Sequence, residues 1–165
     1  MKTKKFIINL LFLFFVCNSS LFAFQTTCKF EEVYDNGQSE QGYLLLNDNK
    51  LRYQYYDQQL FTIFSKNKDF YLVQNNQTDI FQKIHDNTEV IEELLNLAAL
   101  YPDIKNSYQS NNLNISIEKS KEHHFIKRLS INASNLNMSI YFFECQNLTP
   151  HYRFFNFSPY FSYKY

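Results

Sequence analysis

The sequence predicts a mainly β (α+β) domain with one helical insertion, and three observations carry that prediction. Residues 42–72 break into short apolar and aromatic runs separated by small clusters of Asn, Asp, Gln and Lys. Runs of this kind are strand signals. Breaks so short make the strands sequential antiparallel neighbours, because a parallel crossover needs about a dozen residues or more. The composition agrees: 18 Phe and 13 Tyr stand against 2 Gly, 3 Pro and no Trp. Aromatic residues suit a pleated, half-buried surface, and a chain poor in Gly turns with Asn and Asp. One segment has helical period, with Ile91, Leu94, Leu95 and Ala98 at i, i+3, i+4 and i+7.

The N-terminus reads as targeting. Lys2, Lys4 and Lys5 precede an almost continuously apolar run over 6–16, the charged and hydrophobic regions of a secretory signal peptide. The run is shorter than the roughly 20 residues that span a bilayer. Residues 1–23 are assigned to the signal, with cleavage expected near Ala23, although Leu21 is large for its position. Residues 24–165 then form a single domain of ordinary size. Losing three Lys and no acid leaves 13 Lys+Arg against 16 Asp+Glu, a net charge of −3. That balance argues against nucleic acid as a partner. Cys17 follows Val16 where a lipidated cysteine would follow a small residue, so it reads as part of the discarded signal, with lipidation as the alternative.

Taken in order, strands are expected over 28–34, 41–46, 50–56, 60–65, 69–74 and 79–84, with Asp35-Asn36-Gly37 as a hairpin turn. Both faces of these strands carry large apolar groups, so something must cover the second face. The helix is the expected cover. Asp86-Asn87-Thr88-Glu89 has the form of a capping box, and Tyr101-Pro102 ends the helix. Strands return over 113–119, 124–133, 138–143 and 152–157. Cys28 and Cys145 are an even pair in an exported chain. They form either a disulfide joining the first strand to a late one or two separate thiols, and spacing decides neither.

Catalytic chemistry is not signalled. His123 and His124 are adjacent, His85 and His151 stand alone, and no spacing suits zinc. Glu31-Glu32 and Glu92-Glu93 read as solvated charge. No nucleophile elbow, phosphate loop or metalloprotease motif occurs. A non-enzyme without metal or cofactor is expected.

The hairpin Gly42-Tyr43-Leu44-Leu45-Leu46, a turn, then Lys50-Leu51-Arg52-Tyr53-Gln54-Tyr55 resembles the G-x-L-x-[LI]…[KR]-[FLM]-R-[WY]-x-Y hairpin of the outer-membrane lipoprotein carrier family (LolA and its relative LolB). The runs at 60–64 and 70–73, the helical stretch 89–100, and Cys145-Gln146-Asn147-Leu148-Thr149 followed by 152–157 are similar to later family elements, so the resemblance covers most of 28–158. The chain departs from the family in lacking the long amphipathic helix ahead of the first strand, the Pro before the Arg-bearing strand, and the Gly of the next turn, where Asn67 or Lys68 stands.

The resemblance implies an incomplete antiparallel β-barrel, a strongly curved sheet with a helical lid on its concave face. It implies a periplasmic chaperone that shelters lipoprotein acyl chains and carries them to the outer membrane. An inner-membrane release complex and an outer-membrane acceptor are the implied partners, and a monomer is expected. Candidate lining residues are Leu44, Leu46, Leu51, Tyr53, Phe61, Ile63, Phe70 and Leu72, with Leu94, Leu95 and Ala98 from the lid. Which strand face points inward stays open. Arg52 is implied to contact the lid, against a solvated edge charge. A lipidated Cys17 would instead make the chain an acceptor of the same fold. Two readings of another class remain. A small envelope β-barrel or structural protein is motivated by alternating Phe161, Tyr163 and Tyr165. A secreted glycoprotein is motivated by sequons at Asn76, Asn114, Asn132, Asn137, Asn147 and Asn156.

Overall fold

The computed structural model describes residues 24–155, apart from 49, 67, 68, 87, 111 and 135. The signal segment, Cys17, Asn156 and the aromatic C-terminus lie outside the described residues.

Ten antiparallel strands form one sheet that does not close. They are β1 (Gln25–Tyr34), β2 (Ser39–Asn47), β3 (Lys50–Tyr55), β4 (Phe61–Lys66), β5 (Asp69–Gln74), β6 (Gln77–Ile84), β7 (Ser107–Ser110), β8 (Leu113–Lys119), β9 (Ile126–Ala133) and β10 (Leu136–Gln146). Their spatial order is β6-β5-β4-β3-β2-β1-β10-β9-β8-β7. Two meanders, β1–β6 and β7–β10, are thus joined where β1 pairs with β10. Among the described residues the single α-helix, α1 (Glu89–Leu100), connects the two edge strands, β6 and β7.

Register decides which side chains share a face. Cys28 opposes Leu44, Leu44 opposes Tyr53, Tyr53 opposes Ile63 and Ile63 opposes Leu72. In the other direction Phe30 opposes Phe142, and Ile140 opposes Leu129. Because side chains alternate along a strand, these residues all point to one side, here called the first face. Burial follows: β8 alternates cleanly, with Leu113, Ile115 and Ile117 buried. Ile91, Leu94, Leu97 and Ala98 of α1 join the same apolar cluster as the first-face strand residues.

The opposite, second face is covered differently. Tyr43 and Leu45 are buried there against Phe154 and Phe155. Those two rings belong to a 3-10 turn, Tyr152–Phe155, where the sequence suggested a strand. The two apolar faces thus have different covers. The helix sits with the first-face cluster, and the chain after β10 covers part of the second. Other differences are local. The N-cap is Thr88, whose hydroxyl donates to Glu92 Oε1 at 2.7 Å, so the box at Asp86 does not form. Strand β7 carried too little apolar signal to be expected. His123 and His124 lie in a bend before β9 and not on a strand.

Cys28 and Cys145 are joined by a disulfide across the β1–β10 junction, with Cα atoms 4.1 Å apart. The pairing register slips beside it, between Thr27 and Lys29, and Glu144 takes a positive φ of 51°. A bulge there re-aims the β10 side chains.

Candidate functional site

The first face is the part of the molecule on which residues expected to act together come together. Strand register places Leu44, Leu46, Leu51, Tyr53, Phe61, Ile63, Phe70 and Leu72 on it. Leu44, Leu46, Leu51, Tyr53 and Leu94 are fully buried, with Ala98, Phe70 and Ile63 nearly so. Phe61, Leu72 and Leu95 are half-buried, and Phe61 and Leu95 pack against the same cluster. Leu97, which the helical stripe omitted, is buried as deeply as Ala98.

Aromatic stacking fixes the centre of this cluster. The Phe30 ring stacks on Tyr53 with centroids 3.9 Å apart and meets Tyr55 edge-on. Gly42 makes room for it. A Cβ at Gly42 would collide with the Gln54 carbonyl oxygen and the Phe30 ring, so the Gly of the hairpin motif is a close-approach residue.

Space remains at the flank of α1. A cavity of about 540 Å³ opens between the helix and the sheet, lined by Ser65 and Phe70 from the strands and Leu95, Asn96 and Ala99 from the helix, with Asp48 and Glu92 also contributing. Phe70 and Leu95 are thus the expected lining residues that border open space. Leu44, Leu46, Leu51, Tyr53 and Leu94 are instead packed against neighbours.

Two buried carboxylates sit within or beside this apolar cluster, where the sequence suggested solvated charge. Glu32 is only 3% exposed. Tyr53 donates to its Oε1 at 2.6 Å, and Tyr34 and Tyr55 donate to Oε2 at 2.6 and 2.9 Å. Burial first, and the neighbouring Glu32 charge after it, push the Tyr53 and Tyr55 phenols well above their ordinary value, and Tyr34 follows for the same reasons. On the helix, Glu93 is buried and accepts a hydrogen bond from Tyr108, whose phenol is raised by desolvation and by that bond. Alternation along β1 held the signal for Glu32, since it lies in phase with Cys28 and Phe30. Glu93 gave none, because it adjoins the apolar stripe.

Arg52 does not face α1. It lies on the second face, 4% exposed, since it alternates with Leu51 and Tyr53. Its Nε donates to Gln54 Oε1 at 2.9 Å and its Nη1 to the Phe154 carbonyl at 3.1 Å. Its guanidinium lies 5.7 Å from the Tyr43 ring centroid and 5.2 Å from that of Phe64. The implied lid contact is corrected to a clamp on the C-terminal turn, and the edge-charge alternative falls with it. Among the described residues no group of His, Cys, Asp and Glu could hold a metal.

No protein-family model matches this chain, and no curated protein matches it.

Proposed function

We propose that the protein is a non-enzymatic periplasmic carrier that shelters the acyl chains of lipoproteins and takes them to the outer membrane. The observation that carries this reading is the first face: an apolar surface spread over an open sheet and met by one twelve-residue helix. In this reading the sheet curves around that surface, and α1 is a lid on its concave side.

The energetics favour a movable helix. Re-exposing Ile91, Leu94 and Leu97 costs about 1.5–3 kcal/mol each, while a sheltered methylene regains about 0.8 kcal/mol. An acyl chain entering beneath the helix therefore offsets the opening with about six to eleven methylenes. The cavity beside Phe70 and Leu95 gives the chain its first foothold, and the packed residues behind it become lining once α1 moves. Closure on an empty face then drives release to an acceptor.

The test is release of cargo. Protein lacking residues 1–23, added to spheroplasts of the native host without detergent, is expected to bring acylated lipoproteins into the supernatant as a soluble complex. A supernatant free of acylated protein would contradict the proposal.

A further inference from the structure

The side of α1 that meets the sheet is not wholly apolar. Its buried residues are Ile91, Leu94, Leu97, Ala98 and, among them, Glu93, which is 6% exposed. Glu93 Oε1 accepts a hydrogen bond from the phenol of Tyr108. Tyr108 belongs to the edge strand β7 and opposes Ile115, so it points to the first face. Glu93 has no other side-chain partner among the described residues, whereas Glu32 collects three phenols. A buried carboxylate is costly unless it is well paired. The closed helix therefore carries a charge that one bond satisfies only in part. Its two ends are also held unequally. Beyond the last turn the Tyr101 ring packs on Phe24 and Phe125, with centroids 5.3 and 6.1 Å away. Ile104 is buried there, and the Pro102 carbonyl accepts from Lys119 Nζ at 2.8 Å. At the start of the helix the Thr88 hydroxyl bonds Glu92 of the helix's own first turn, and not the sheet.

We propose that Glu93 and Tyr108 are the latch of a helix that swings about its anchored end at Tyr101. Their bond holds α1 against β7 while the face beneath is empty. When it breaks, the carboxylate reaches water and regains its hydration. That gain offsets part of the cost of exposing Ile91, Leu94 and Leu97. A leucine at position 93 would remove the offset and hold the helix shut, a common result of exchanging a buried charge for an apolar group of similar volume. The latch is thus firm enough to close an empty face and weak enough to yield. This inference rests on the carrier reading for what enters beneath the helix, but not for the motion itself.

Two variants that move the helix in opposite directions test it. Tyr108→Phe leaves Glu93 without its donor, and the double variant Glu93→Leu, Tyr108→Phe removes the charge and the hydroxyl together. The readout is native-state hydrogen exchange of the chain lacking residues 1–23. A lifted helix of twelve residues frays in water, so its amides report opening. In the unaltered protein the α1 amides are expected to exchange faster than those of β1 and β2, with a smaller denaturant dependence. In Tyr108→Phe this opening is expected to be about tenfold more frequent, as loss of a bond to a charged group implies. In the double variant it is expected to fall about fivefold or more below that of the unaltered protein. Exchange of α1 in step with β1 and β2 overturns the latch. So does an opening that Tyr108→Phe leaves unchanged, or a double variant that opens as often as the unaltered protein or more. Calorimetric titration with N-palmitoylglycine amide tests the carrier separately. Absence of binding by all three proteins overturns the carrier reading, while the exchange rates alone decide the latch.

Discussion

Glu32 shows how a buried charge is tolerated on an apolar face. Three phenols point their hydrogens at one carboxylate, and such bonds to an ionised group are about twice as strong as neutral ones. Replacing Glu32 with Leu leaves those hydroxyls without their acceptor, at about 1–3 kcal/mol for each one that stays unsatisfied. Denaturant titration of Glu32→Leu is expected to show a loss of about 3 kcal/mol or more, and an unchanged midpoint would contradict the network. The same cluster sets an alkaline limit. Tyr53 and Tyr55 keep their protons in the folded state beyond the point, near pH 10, at which an unfolded chain gives them up. Their contribution is complete below about pH 10. It is lost as pH rises further, at about 1.4 kcal/mol per pH unit for each phenol. Phenolate absorbance from these two residues should therefore appear together with the loss of β circular dichroism, not before it. At Gly42, substitution by Ala drives a methyl group into backbone and ring together. It is expected to cost about 3 kcal/mol or more in a thermal or denaturant melt, at the upper end of overpacking effects.

The strands and the helix were legible because their signals are local. The hairpin around Gly42 and the meander after it follow from alternating apolar residues and Asn/Asp turns, and β2 to β5 form where expected. Glu89–Leu100 follows from a helical stripe, although the stripe named Leu95 and passed over Leu97. Pairings distant in sequence were not legible. Nothing local told β1 to take β10 as its second neighbour, or told the segment at Tyr152–Phe155 to turn back over the second face and not extend. The aromatic, β-prone composition of that segment reads as a strand until Arg52 and Leu45 draw it onto the sheet. The face of Arg52 follows from alternation alone, but its role was carried over from a resemblance and did not survive the register. The β1–β10 junction is also where a covalent tie matters most. The disulfide closes a separation of 117 residues, and the chain-entropy model gives about 5 kcal/mol for a loop of that length. A Cys28→Ser, Cys145→Ser double variant is expected to lose several kcal/mol of stability in denaturant. A variant as stable as the parent would show that the unfolded state is already held together there by other contacts.

Across the described residues the molecule is an open ten-stranded sheet whose apolar face is met by the helix α1. In the proposed carrier reading that face is satisfied twice, by the helix when empty and by an acyl chain when loaded. The central claim is that this face exchanges its helix for an acyl chain. The most direct measurement is native mass spectrometry of the protein purified from its own envelope without detergent, with the N-terminus read in the same experiment. The account predicts a chain beginning near Phe24, unmodified at its start, with a fraction carrying an acylated peptide or acyl lipid. A chain retaining an acylated Cys17 would move the protein from carrier to membrane-bound acceptor. A chain that carries no lipid in any fraction, or that bears N-glycans at its sequons, would contradict the account.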